Sequence, residues 1–135
     1  MPVATLRVRI QNPIDFTCAD GTAIPKGTLL KLTDPRTAII ATGSGDMLAG
    51  ICARDKIAND GRTQVAVFTT GIFTMQAGAA IAIGAPVMAE GTTANEVITA
   101  SGVIGASVLG YALEAGAGSG DDIQVMLNIN GGAII

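Results

Sequence analysis

The chain has 135 residues, of which 49% are hydrophobic and 14% charged, with only four aromatic rings: Phe16, Phe68, Phe73 and Tyr111. A chain of this length buries roughly two-thirds of its unfolded surface as one domain, so a core needs no covalent staples. With no histidine, Ser-His-Asp, Cys-His and His-ligated metal arrangements are excluded. A net charge of −3 and the scarcity of rings disfavour nucleic-acid binding.

From the N-terminus, TLRVRI alternates: Leu6, Val8 and Ile10 fall on one face, Thr5, Arg7 and Arg9 on the other, which predicts a strand over 5–10. Beyond the turn at Asn12-Pro13, strands are expected at 14–17, 28–32, 37–41, 47–54 and 63–68. TDPRTAIIAT has room for one short helix after Pro35, but the strand is the reading adopted. Asn59-Asp60-Gly61 is a strong turn signal, because these residues tolerate positive φ. In TQVAVFTT, Val65 and Val67 share a face opposite Gln64, Ala66 and Phe68. A phenylalanine on the nominal outer face implies burial against another sheet or another chain. Further strands are expected at 71–75, 80–83, 86–89, 96–99, 103–106, 108–114 and 122–129. In the last, Ile123, Val125, Leu127 and Ile129 oppose Met126. Many short strands between regular turns indicate an all-β small barrel or sandwich.

Residues 63–89 carry no charge, long enough to cross a bilayer. Composition argues against a membrane span: the run holds Gln64, Gln76, several threonines, Pro86 and three glycines, and it alternates in the β manner. An internal repeat explains it better. DGTAIPKGTLLKLTD (20–34) matches AGAAIAIGAPVMAEG (77–91) at an offset of 57, with Gly21, Ala23, Ile24 and Gly27 falling on Gly78, Ala80, Ile81 and Gly84. LAGICARDKIANDGRTQVAV (48–67) matches VLGYALEAGAGSGDDIQVML (108–127) at an offset of 60. The fold is therefore expected to be pseudo-duplicated.

The charges divide with the chain. Residues 1–62 hold all eight Lys and Arg against six acids, whereas residues 63–135 hold only Glu90, Glu96, Glu114, Asp121 and Asp122. That asymmetry predicts a polarised molecule with two different surfaces. Cys18 and Cys52 lie in no metal or redox motif and read as reduced, partly buried thiols. GAGSGDD lacks the GK[ST] ending of a phosphate loop and leads into a strand; its two aspartates read as turn solvation rather than a calcium site. No catalytic, cofactor or metal site is expected.

Taken in order, GTAIPKGTLLKLTDP (21–35), AGICARDKIANDGRTQVAVFTTGIF (49–73), AGAAIAIGAPVMAEG (77–91) and VIGASVLGYALEAGAGSGDDIQVML (103–127) resemble the capsid decoration, or cement, proteins of tailed bacteriophages. The resemblance implies a non-enzymatic virion protein, made in the host cytoplasm. It would bind the outer face of the expanded capsid as a homotrimer and hold major capsid protein subunits together, with no nucleic-acid or membrane partner. It suggests an N-terminal arm with the first strand (1–17), one β domain (18–129) and a tail (130–135). Thr5, Leu6, Arg7, Val8, Arg9 and Ile10 are then the expected capsid-binding residues, adding a strand to the shell; removing 1–11 should abolish binding and leave the fold intact. The competing reading is a tail, baseplate or cell-surface β-module that binds protein or glycan.

Overall fold

The computed structural model describes residues 3–42, 46–90, 95–101 and 107–129. Among these residues the chain is all-β, with eleven strands: β1 (Thr5–Val8), β2 (Ile14–Thr17), β3 (Leu29–Asp34), β4 (Thr37–Ile40), β5 (Leu48–Cys52), β6 (Gln64–Phe68), β7 (Thr70–Ala77), β8 (Pro86–Ala89), β9 (Glu96–Thr99), β10 (Gly110–Ala112) and β11 (Asp122–Asn128). β2 to β6 close into one sheet in the order β2-β4-β3-β5-β6. β7 to β11 close into a second in the order β7-β9-β8-β10-β11, and β1 is added to the edge of β7.

The two closed sheets repeat one topology. In each, the first and third strands pair in parallel, through Thr17 and Thr37 in one and Gln76 and Glu96 in the other, each partner shifted by 59 residues. An isolated bridge joins Ile24 to Lys56, and its counterpart joins Ile81 to Gly116 at the offsets of 57 and 60 read from the sequence. The turn glycines Gly27 and Gly84 both have positive φ, which glycine adopts without steric cost. Their amides donate to Cys52 and Ala112, again equivalent residues. The departing strands slip by two residues: Cys52 pairs with Val67, but Ala112 pairs with Val125, so Gln64 corresponds to Asp122 rather than to Gln124. The turns before them, ANDG and AGSGDD, differ enough to absorb that slip.

One apolar core fills the first barrel with Phe16, Ile24, Leu30 and Val67. A larger one combines the interior of the second barrel (Phe73, Val87, Leu109, Leu127) with Leu29, Ile51 and Phe68 from the outside of the first. β5 is buried at every position because it lies between the two. Phe68 thus finds the second sheet that its outward placement demanded. A buried polar link crosses the same joint: the Leu29 amide donates to Asn95 Oδ1 at 2.8 Å.

The segment with room for a helix after Pro35 forms a β-hairpin: Arg36 takes positive φ at the turn and β4 pairs back on β3. Residues 80–83 hold only the bridge at Ile81 rather than a strand, since they form the turn into β8. The strand expected at 103–106 falls outside the described residues, as does the tail at 130–135. No helix among the described residues is long and apolar enough to cross a membrane. The uncharged run 63–89 supplies β6, β7 and β8 instead.

Candidate interaction surface

The six residues expected to bind a capsid lie along one strand and its extension. β1 pairs antiparallel with β7 through Thr5–Thr74, Leu6–Phe73 and Val8–Ile72, with a bulge between Leu6 and Val8. The bulge breaks the predicted alternation: Leu6 packs on the core, whereas Val8 and Ile10 are turned out and half exposed. Thr5, Arg7 and Arg9 are exposed as well. Both arginines are held to the body. Arg7 Nε donates to Thr74 Oγ1 at 2.8 Å, and the Arg9 guanidinium lies 5.6 Å over the Phe68 ring. Among the described residues no strand pairs with the far side of β1, so its backbone edge is open. The preceding residue is not free arm: Ala4 is buried, and its amide donates to Gly27 of the first sheet. The stretch from Ala4 to Val8 therefore straps one barrel to the other, and removing 1–11 removes core as well as edge.

Register exposes a second surface that the sequence reading missed. Val8 opposes Ile72, Ile72 opposes Met126, Met126 opposes Tyr111, and Tyr111 opposes Pro86. These five side chains form one row across the outside of the second sheet, because their strand neighbours Phe73, Val125 and Ala112 point into its core. Tyr111 is 44% exposed and Val8 48%. Each apolar residue looks ordinary in its own strand; only the pairing places them side by side.

Charge also differs between equivalent positions. Arg54 lies at the end of β5 where Glu114 lies at the end of β10, Thr37 corresponds to Glu96, and Gln64 to Asp122. Asp122, Gln76 and Glu96 are in register across β11, β7 and β9, and Glu114 Oε1 accepts the Gln124 amide at 2.9 Å. The matching end of the first sheet has a shallow cleft lined by Asp15, Arg54, Asp55, Arg62, Gln64 and Ala66. Beside it, Arg36 Nη2 donates to the Asp15 carbonyl.

Within the first sheet, the Lys56 amine is buried and saturated. It donates to the carbonyls of Asp20 and Ile57 and pairs with Asp20 Oδ1 at 3.2 Å and Asp60 Oδ1 at 2.8 Å. The Lys56 ammonium, helped by the Arg62 amide, holds the Asp60 carboxyl down at about 2. Desolvation works against the charged Lys56 amine, but its hydrogen bonds to Asp60 and Asp20 outweigh it and raise its affinity for the proton. In the second sheet Gly116 takes the lysine's place, packed near Ala77 and Ile123, so this ionic knot serves the first sheet's own turns. Cys18 and Cys52 are free and buried, and burial pushes both thiols up. Among the described residues no group of three or more metal-ligating side chains comes together.

The profile of a family described as phage cement protein matches residues 8–127. No curated protein matches the chain. Among solved structures it is similar to the head fiber gp8.5 N base of bacteriophage phi29, with a TM-score of 0.54, 15% identity and 95% of each chain covered. At that identity the likeness is one of fold.

Proposed function

Because the chain belongs to the phage cement protein family and is thereby a phage structural protein, we propose that it binds the outer face of the expanded icosahedral capsid and stabilises contacts between major capsid protein subunits. It acts without catalysis, as a homotrimer, on the exterior of a virion assembled from parts made in the host cytoplasm. A ligand that binds only the expanded lattice stabilises that state by mass action, and several linked copies gain by spanning neighbouring subunits. The observation that carries the reading is the family match along nearly the whole chain.

The capsid-binding element is β1 and its extension, Thr5 to Ile10. Its open edge offers backbone donors and acceptors to a capsid strand, with Val8 and Ile10 as apolar contacts and the outer N–H groups of Arg7 and Arg9 as cationic ones. The test is add-back to expanded capsids that lack the protein, followed by pelleting and counting of bound copies. Saturable binding that raises the capsid melting temperature supports the role. Arg7→Glu/Arg9→Glu should bind at least tenfold more weakly with its own fold intact. Wild-type protein that binds neither expanded nor unexpanded shells removes the capsid reading in favour of a tail or adhesion module.

A further inference from the structure

The backbone ladder that holds β1 to β7 ends at Val8, but the chain does not leave the body there. Arg9, Ile10 and Gln11 are exposed and form no backbone hydrogen bond among the described residues. Side chains hold this stretch instead. Arg7, the extra residue of the bulge, donates from Nε to Thr74 Oγ1 at 2.8 Å. The Arg9 guanidinium lies over the Phe68 ring, and Thr70 Oγ1 donates to Gln11 Oε1 at 3.3 Å. Thr70, Ile72 and Thr74 share the outer face of β7, since Gly71, Phe73 and Met75 between and beside them are buried. Two hydroxyls therefore bracket Ile72, the residue on which Val8 is registered. The common fold does not demand them. At the shift of 59 residues, the counterparts of Thr70 and Thr74 are Gln11 and Asp15, and the first barrel closes without a hydroxyl at either position.

We propose that Thr70 and Thr74 are positioning residues for capsid docking. Through Gln11 and Arg7 they hold residues 7–11 extended by side-chain tethers, which leaves the backbone of 9–11 free to pair with an incoming strand. The inference deepens the assignment of Thr5 to Ile10 as the docking element and rests on it. A free segment must be ordered before it can pair, and that loss of conformational freedom is subtracted from its affinity; a segment already held extended loses little more. The tethers use side-chain atoms only, so they compete with none of the backbone groups that strand addition needs. Each threonine acts through the residue it holds.

The experiment compares two double variants of the full chain. Thr70→Val/Thr74→Val removes both hydroxyls while keeping shape and strand propensity; Thr70→Ser/Thr74→Ser keeps the hydroxyls and lowers strand propensity. Stability and binding should therefore rank the variants in opposite order. In thermal melts the valine variant should be at least as stable as the wild type, and the serine variant less stable. In add-back to expanded capsids the valine variant should bind about tenfold more weakly, with the serine variant within about twofold of the wild type. In the free chain, backbone order parameters of residues 9–11 should lie near about 0.85 in the wild type and the serine variant, and fall below about 0.6 in the valine variant. Binding that follows stability instead, tightest in the valine variant, overturns the tethers and leaves the docking segment standing, as does equal binding by all three chains. A wild type whose residues 9–11 are as mobile as those of the valine variant overturns the tethers without reference to any capsid. A wild type that binds no shell overturns their docking role together with the capsid reading itself.

Discussion

The rings of Phe68 and Phe73 meet edge to face, centroids 5.7 Å apart, and they belong to different barrels. Four residues separate them in sequence, yet they are the seam of the molecule: both sit in the larger core beside Leu29, Ile51, Leu109 and Leu127. Phe68→Ala or Phe73→Ala should each cost about 3–5 kcal/mol, and a double-mutant cycle should return a coupling of about 0.5–1.5 kcal/mol. Because the core is shared, denaturant unfolding followed by two probes, one per barrel, should give one coincident transition. Two separate transitions would show that the seam is weaker than its burial indicates.

Acid should loosen the first barrel at a definable place. The folded pKa of Asp60 is lowered to about 2 from an ordinary 3.8. The proton affinity is thus higher in the unfolded chain, and the carboxylate's stabilisation is present above 3.8 and lost as pH falls through about 2. Urea midpoints measured downward from about pH 5 should fall over that window in the wild type and fall less in Asp60→Asn. Parallel curves for the two proteins would rule out this assignment.

Gly50 and Gly110 are equivalent, and each lies against the backbone of the last strand of its barrel. A Cβ on Gly50 would overlap the Phe68 carbonyl, and one on Gly110 the Met126 carbonyl. Gly50→Ala and Gly110→Ala should each destabilise by about 2–3 kcal/mol. Gly118 has open space and no positive φ, so Gly118→Ala should leave stability unchanged or slightly raised. Equal effects at all three positions, measured by chemical denaturation, would contradict the packing argument.

At the joint, Thr28 Oγ1 is buried without a hydrogen-bond partner, and the equivalent position in the second barrel is Ala85. Thr28→Val keeps the shape and removes the unsatisfied hydroxyl, so stability should rise by about 1 kcal/mol. Asn95→Ala, which strips the buried Leu29 amide of its acceptor, should lower it by about 1–3 kcal/mol. A fall in both would mean that the Thr28 hydroxyl is satisfied in solution.

The strands at 14–17, 86–89 and 96–99 were legible to the residue, since short apolar or β-branched stretches next to turn residues leave little choice of where a strand starts and stops. The duplication was legible because its glycines are fixed by turn geometry: Gly27 and Gly84 recur for the same reason. What the sequence hid depends on pairing. No local pattern says that Thr5–Val8 lies on β7, that a bulge turns Val8 outward, or that Val8, Ile72, Met126, Tyr111 and Pro86 line up. Two sheets closing separately over a shared core was equally out of reach, because a strand buried on both faces, such as β5, looks the same in a sandwich and in a barrel. The candidate capsid-binding segment was named from the sequence, but its tether through Ala4 and Leu6 was not, because small and ordinary apolar residues carry no sign of what they will touch.

The position of β1 has a consequence for how the chain is made. Thr5–Val8 leaves the ribosome ahead of its partner Ile72–Thr74, so the strand waits for the whole of the first barrel to be made before it can be placed. All the strands of the first barrel, β2 to β6, precede Ile72–Thr74, so that barrel can close before the strap is placed. The segment proposed for docking is therefore placed only after the first barrel has been made, and a nascent molecule presents it undressed on both edges until then. Premature engagement of another strand would be an error of timing, and Arg7 and Arg9, spaced along that edge, are the kind of residues that discourage it.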